Sequence, residues 1–476
     1  METKIKTASF FKGAMLFVIM FVLINVCAGI KYGASGSFSG GIRNTTFYVA
    51  LASNCVGTLL LLTALFTYVV YSRKKLIEET QRLAVTCSVV VITYVACISV
   101  SALGLYYMPV ALAAFVLVPL LDRRDVFIAN IMTNMLVSVT LILESIMGDK
   151  VETISVVVML VLGVFAGSIV AYAMSNVNKR FKFVLSGLGV GAVGIAMLFV
   201  SSLVIDSFHF GSTVGFLCVT AFGQVFVGLV LQPVFEAIFN IVTNTRLTEL
   251  MSHEAPLIKK LLEEAPGTFN HSLTLANFAE VCAIKIGENP YLAKACAYYH
   301  DVGKIKNPLF FSENQSGYNP HDELLPEVSA QILRAHTTDG YEMCIKNHIP
   351  MEIAEITLQH HGTLPMAVFY AKAQKLTDGE VDASEYSYHG VTPVSKIAAI
   401  IMICDASEAA LRAKGAPTHE VAEEIVSSII SDRIKRGQFD NCDITMRDLN
   451  VIKQTIVGLY GGVFHARVQY PSGKTR

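Results

Sequence analysis

Residues 295–304 read Ala-Cys-Ala-Tyr-Tyr-His-Asp-Val-Gly-Lys, and the adjacent pair His300-Asp301 decides how the second half of the chain is understood. A run of good helix formers ends there, and Gly303 follows at once, a residue that permits a sharp turn. An imidazole and a carboxylate are thus presented from one tight corner. Further along come His336, the pair His360-His361, and Asp405 closing the apolar run Ile400-Ile401-Met402-Ile403-Cys404; upstream lies His271. Neighbours on a helix point about 100° apart, so His360 and His361 reach different sides of one site. A lone histidine on an apolar helix is more often a core or surface residue than a ligand. The ordered combination is what points to a metal centre, since imidazole and carboxylate together suit Fe, Mn or Zn and a shared carboxylate can bridge two ions.

Around these residues the pattern is helical: Ser272–Ile286, Pro290–His300, Pro326–Glu342, Met351–His361, Lys396–Leu411, Thr418–Arg436 and Arg447–Tyr470. No alternating strand pattern of any length appears, so this half is expected to be all-α. Before it, Arg246–Glu264 carries Leu247, Leu250, Leu257, Ile258, Leu261 and Leu262 at helical spacing, a connector that Ala265-Pro266-Gly267-Thr268 is expected to end.

The first half is different in kind. The 476 residues are 53% hydrophobic and 16% charged, with mean hydropathy +0.52. A soluble domain is about a quarter charged. From Phe10 to Val242 charges fall in short clusters, whereas from Arg246 they are frequent and mixed. A span needs about 20 apolar residues. Candidates are Phe11–Ile30, Phe47–Tyr71, Leu83–Leu103, Tyr107–Leu121, Val126–Met147, Val151–Ala173, Phe183–Ile205 and Val214–Ile241, the third and fourth forming a hairpin around Gly104-Leu105-Tyr106-Tyr107. Lys4, Lys6 and Lys12, then Arg73, Lys74, Lys75 and Arg82, then Arg123 and Arg124, then Lys179, Arg180 and Lys182 all fall on one side; Lys31, Arg43 and Lys150 fall on the other. The positive-inside rule therefore gives eight spans with both ends cytoplasmic. The first span reads as a retained anchor rather than a signal peptide, because Val26-Cys27-Ala28-Gly29 is a poor cleavage site. The expected division is a transmembrane domain over 1–242, a helical connector over 243–268 and a cytosolic domain over 269–476 in the cell inner (plasma) membrane.

Composition also excludes. The ten cysteines are scattered without a CxxC pair, which argues against a disulfide framework or zinc knuckle. The net charge of −1 and the lack of a basic block argue against a nucleic-acid polymer as partner. Asn130, Asn134, Glu144, Gln224, Gln232 and Glu236 are the intramembrane polar groups, and the two glutamates sit toward span ends, which disfavours transport.

The order His271, His300-Asp301-Val302-Gly303-Lys304, His336, His360-His361-Gly362 and Asp405 resembles the HD-superfamily phosphohydrolases. More narrowly, the chain resembles the seven-transmembrane HD family of cyclic di-AMP phosphodiesterases, the PgpH type. The narrower likeness rests on Glu264-Ala265-Pro266-Gly267-Thr268, Ala297-Tyr298-Tyr299, Phe311-Ser312-Glu313-Asn314-Gln315, Asn319-Pro320-His321-Asp322 and Gln359-His360-His361-Gly362-Thr363. It implies an all-helical metal-dependent hydrolase with two divalent ions, Fe or Mn. His271, His300, Asp301 and Asp405 would hold one ion; Asp301, His336, His360 and His361 would hold the other. A hydroxide between the ions would then attack phosphorus in line, converting cyclic di-AMP to linear 5′-pApA.

Lys304, just past the bridge, is a candidate catalytic phosphate clamp. Asn314 and Gln315 are candidates for reading a base edge or for hydrogen bonding within their loop. Arg412 reads as a surface arginine or as one reaching a phosphate, and His321 and Asp322 are candidates for capping a helix or touching substrate. His209, His253, His348, His389, His419 and His465 show no partner pattern and read as structural or exposed. Other readings are a phosphohydrolase of another cyclic dinucleotide or nucleotide, and a non-catalytic nucleotide-binding membrane receptor. The absence of Gly-Tyr-Pro after the histidine pair argues against cyclic di-GMP, and the filled ligand positions argue against the receptor. Expected partners are cyclic di-AMP and the lipid bilayer, with a homo-oligomer left open. The likeness has one departure: members usually carry a large extracellular domain between the first two spans, where this chain has Lys31–Thr46.

Overall fold

A computed structural model describes residues 7–34, 45–148, 153–173, 181–202, 210–239, 241–376, 380–415 and 418–463. Lys4, Lys6, Arg43, Lys150, Lys179, Arg180, His209 and His465 lie outside the described residues. The chain divides into two compact units, Met1–Thr243 and Asn244–Arg476. Among the described residues there is no strand, only an isolated bridge between Pro365 and Ser387.

The first unit contains α1 (Thr7–Ala34), α2 (Thr45–Ser72), α3 (Lys74–Glu78), α4 (Thr80–Val100), α5 (Leu112–Leu117), α6 (Arg123–Gly148), α7 (Thr153–Ala173), α8 (Phe181–Ser202) and α9 (Phe210–Phe239). In α1 the buried residues Gly13, Phe17, Met20, Ile24, Ala28 and Tyr32 recur at helical spacing on one face. The opposite face exposes Phe11, Met15, Val18, Val22, Val26 and Ile30. An exposed face this apolar suits lipid rather than water. Among the described residues six helices are long and apolar enough to cross a membrane, and the shorter apolar stretches Leu105–Leu117 and Val184–Phe199 accompany them.

The fourth expected span, Tyr107–Leu121, is not a continuous helix. Pro109 and Pro119 flank the segment, and a proline both lacks an N–H and disfavours helix in the residue before it. What forms is a 3-10 turn, Leu105–Tyr107, followed by the six-residue α5, about 9 Å long. Every residue of α5 is buried. Its interrupted backbone is satisfied by neighbours, as an unwound segment at membrane depth requires. The Asn134 amide donates to the Val110 carbonyl at 2.9 Å, and the Ala111 N–H donates to Gln224 Oε1 at 2.8 Å. Arg73 at the end of α2 pairs with Asp122 and, at 2.7 Å, with Asp125 at the start of α6. The chain between them, α3, α4 and residues 101–121, therefore leaves that end of the bundle and returns to it. Asn134→Leu should lower the unfolding midpoint in detergent by the equivalent of about 1 kcal/mol. An unchanged midpoint would show that the Val110 carbonyl needs no side-chain partner.

A second polar seam lies on residues that composition does not single out. Asn54 donates to Asn25 Oδ1, Asn25 donates to Thr58 Oγ1, and Thr140 donates to Asn54 Oδ1, each at 2.9 Å; Tyr94 pairs with the Thr140 hydroxyl at 2.8 Å. These bonds stitch α1, α2, α4 and α6 together.

The second unit contains α10 (Asn244–Leu250), α11 (Pro256–Glu264), α12 (Pro266–Ile286), α13 (Pro290–Tyr299), α14 (Pro326–Lys346), α15 (Met351–Ala354), α16 (Ile356–Gln359), α17 (Ala367–Leu376), α18 (Lys396–Ala413), α19 (His419–Lys435) and α20 (Met446–Val463). The run Ile397–Cys404 is buried on all sides, which makes α18 the central helix. The connector ends at Ala265-Pro266-Gly267-Thr268: α11 stops at Glu264 with Ala265 as its cap, and Pro266 then opens α12, since proline suits the first turn of a helix. Two expectations are corrected. The helix expected over Met351–His361 breaks at Glu355 into α15 and α16. Finally, α17 was not anticipated.

Candidate metal centre

Five elements converge. His271 comes from α12, His300 and Asp301 from the end of α13, His336 from α14, His360 and His361 from the end of α16, and Asp405 from α18. Their ligand atoms fall into two sets, each lying within 4.8 Å: His271, His300, Asp301 and Asp405; and Asp301, His336, His360 and His361. Asp301 belongs to both, and its two oxygens face different ways. Oδ2 lies 3.1 Å from His300 Nε2 and 3.9 Å from His271 Nε2. Oδ1 lies 3.3 Å from His336 Nε2 and 3.5 Å from His360 Nε2.

The corner at 300–304 is held by close packing. Gly303 does not adopt a left-handed conformation, so the turn itself is not its reason. A Cβ there would sit 1.9 Å from the His336 carbonyl oxygen and 2.5 Å from the Gly340 nitrogen. The backbone of the corner lies directly on α14, which is how Asp301 and His336 come together.

Second contacts aim the rings. His300 Nδ1 lies 2.8 Å from the Ala297 carbonyl, His360 Nδ1 3.1 Å from that of Ile356, and His336 Nδ1 against that of Leu333. An Nδ1–H donated to a carbonyl leaves Nε2 as the lone-pair atom toward the site. His271 Nδ1 instead faces Glu408 Oε2 at 2.7 Å. His361 stacks on Tyr388 at 4.3 Å between ring centroids.

The site is buried, yet His300 Nε2 and Asp301 Oδ1 find no hydrogen-bond partner among the described residues. Buried polar atoms are seldom left so. Orphaned donor atoms inside a cage of imidazoles and carboxylates fit divalent cations.

Electrostatics agree with that fit. Burial opposes the ionised form of Asp301, but the neighbouring His300 and Lys304 hold its carboxyl well below the usual range. Asp405 is likewise held low against its burial by the neighbouring His271 and His300. Burial lowers His360 and His361, the latter further through His360. His271 and His300 go the other way: burial would lower both, yet Asp405 and Glu408 raise the first, and Asp301 lifts the second to about 10. Without metal the His300 ring holds a proton at neutral pH, and ligation must displace it. Mn²⁺ binding near pH 7 should therefore release protons and weaken as pH falls. Calorimetry in buffers of different ionisation enthalpy reads this directly; a binding heat that ignores the buffer would contradict it.

The remaining candidates are placed as follows. Lys304 is largely covered, its side chain 12% exposed, with Nζ 2.7 Å from both Asp301 Oδ2 and Glu313 Oε1 and 4.8 Å over the Phe311 ring. Asn314 is used within the fold: its Oδ1 accepts from the Thr268 N–H at 3.1 Å, capping the start of α12, whose own Ala265 offers no side-chain cap. Here a Cβ on Gly267 would meet the Glu313 carbonyl at 1.9 Å. Gln315 donates to the Leu309 carbonyl and to Asn319. Arg412 reaches Glu408 Oε1 at 3.4 Å. His321 Nε2 lies 2.9 Å from the Phe310 carbonyl, and Asp322 pairs with Lys372. His253 packs edge-on against Phe269, His389 Nε2 lies 3.0 Å from the Ser384 carbonyl, His348 has φ +55°, and His419 opens α19.

Glu408, Glu313 and Tyr388 were missed by the sequence reading. Glu408 stands three residues after Asp405, hence on the same helix face, and that spacing could have found it. Tyr388 lies in irregular chain and carries no such signal.

Comparisons with known proteins bear on both units. Residues 268–410 match the family described as HD domain, and residues 46–243 match that described as 7TM receptor with intracellular HD hydrolase. The chain is 37% identical over 374 residues to the cyclic-di-AMP phosphodiesterase PgpH of Listeria monocytogenes serotype 1/2a (strain 10403S), covering 78% of this chain and 51% of that protein. It is 38% identical over 299 residues to the protein of the same name from Bacillus subtilis (strain 168), covering 62% and 42%. The chain thus spans about half the length of the curated relatives it matches. Among solved structures, the L. monocytogenes PgpH HD domain in complex with cyclic-di-AMP is 46% identical and matches 45% of this chain and 100% of its own, with TM-score 0.43.

Proposed function

Since the chain belongs to the 7TM proteins with an intracellular HD hydrolase, we propose that it is a membrane-anchored, metal-dependent phosphodiesterase that opens cyclic di-AMP to linear 5′-pApA. Its catalytic unit faces the cytoplasm, the side to which the lysine and arginine clusters point. One observation carries the chemistry: the two ligand sets that share Asp301. The names of the relatives supply the substrate.

His271, His300, Asp301 and Asp405 would hold one ion and Asp301, His336, His360 and His361 the other, with Fe or Mn suited to this donor set. Such ions, when bound, neutralise phosphoryl charge and lower the pKa of a water from 15.7 to about 7. The chain's own residues do the rest. Asp301 offers one oxygen to each set, and the Nδ1 contacts fix the rings before substrate arrives, so little reorganisation accompanies the reaction. Lys304, steadied by Glu313, contributes positive charge beside the shared carboxylate, of the sign an incoming phosphodiester needs. In the net reaction one P–O3′ bond breaks. Water's oxygen joins phosphorus, and a proton ends on the released 3′-oxygen.

The test uses the full chain in detergent, loaded with Mn²⁺ or Fe²⁺ and given cyclic di-AMP, with products resolved by chromatography. A single 5′-phosphorylated linear dinucleotide is expected, and chelation should abolish it. An intact ring at high enzyme concentration would overturn the reading, while preferred turnover of cyclic di-GMP would change the substrate and keep the chemistry.

A further inference from the structure

Of the four rings whose Nδ1 contact is described above, three are held by a carbonyl of their own helix, three or four residues back. His271 is the exception. Its Nδ1 meets a carboxylate 137 residues away, Glu408 Oε2. Its Nε2 meets Asp405 Oδ1 at 3.0 Å. One turn of α18 therefore grips both nitrogens of a ring carried by α12, through residues i and i+3. Glu408 is 4% exposed, and its other oxygen is approached only by Arg412 at 3.4 Å among the contacts described. A carboxylate this buried is costly unless its contacts matter. A charged acceptor also bonds an N–H more strongly than a carbonyl and makes the far nitrogen a better donor.

We infer that Glu408 is a positioning residue for the first ligand set, orienting His271 and strengthening its Nε2 as a ligand, with Arg412 steadying the carboxylate. The inference rests on the metal reading of the site and not on the choice of substrate. It predicts an asymmetry: among the described residues the rings of His336 and His360 are backed by carbonyls, and the carboxylate nearest His361 Nδ1, Asp405 Oδ2, lies 3.8 Å away, beyond hydrogen-bond distance.

The experiment titrates full-length protein in detergent with Mn²⁺ against a competing chelator, resolving two binding steps. Glu408→Ala should weaken one step about 10- to 100-fold and leave the other within about threefold. Glu408→Gln keeps the hydrogen bond without the charge and should recover most of that loss, settling about three- to tenfold below wild type. In excess Mn²⁺ the alanine variant should regain turnover with an unchanged KM. Wild-type affinity at both steps in both variants would overturn the inference, as would equal weakening of the two steps. If the alanine protein fails to fold, the glutamine variant decides, and wild-type affinity in it overturns the inference. A wild-type chain that binds two Mn²⁺ but leaves cyclic di-AMP intact defeats the proposed substrate and leaves Glu408 in place; one that binds no metal defeats both.

Discussion

Asp301→Ala should abolish retention of both metal ions and reduce cyclic di-AMP turnover by at least about 10³-fold, about 4 kcal/mol of transition-state stabilisation. The reason is geometric. Asp301 alone belongs to both ligand sets, and its oxygens divide between them. Removing it takes a ligand from each ion and leaves Lys304, largely covered beside it, with Glu313 as its remaining carboxylate. The loss should exceed that for any single histidine, each of which serves one set. Metal analysis after gel filtration, paired with the turnover assay, checks both halves. A variant that keeps one full equivalent of metal and measurable turnover would show that the carboxylate is not shared.

Gly303→Ala should be nearly as damaging, although Gly303 touches no ligand through a side chain. Its added methyl would fall 1.9 Å from the His336 carbonyl and 2.5 Å from the Gly340 nitrogen, both backbone atoms of α14. Neither can yield as a flexible side chain would. The corner must lift away from α14, at about 3 kcal/mol of overpacking. That movement separates Asp301 from His336, and a displacement near 1 Å costs about 10²-fold in rate. The unfolding midpoint and Mn²⁺ stoichiometry should fall together. A variant with wild-type values for both would mean that the corner tolerates a gap the packing does not suggest.

These effects show which parts of the molecule are readable from residue order. The seven metal-binding candidates were legible because histidine and aspartate are sparse, and their order resembles a known family. The grouping into two sets was implied by that resemblance. Gly303 was legible as important for the wrong reason: a turn was the local explanation, whereas contact with α14 is a tertiary fact. For Asn314 and Gln315 the sequence leaves a base edge and loop hydrogen bonding open, and the structure engages their amides in the fold, Asn314 as a cap for a helix 46 residues away. Glu408 stood at a spacing that could have been noticed, and its partner His271 is too distant in sequence for pattern to connect them.

In the membrane unit, apolar length found the spans. The prolines at 109 and 119 were in plain view, yet the segment between them was read by hydropathy alone, which does not see a missing N–H. The residues that stabilise the break, Asn134 and Gln224, stand out in the sequence only as polar groups within apolar spans. They hold an interrupted backbone in place.

The separation in sequence of the two ligand sets imposes an order on events during synthesis. Asp301, His336, His360 and His361 have all been translated once the ribosome passes His361. The other set waits for Asp405, and for Glu408 behind it. A nascent chain paused between those points carries one complete set beside an incomplete one.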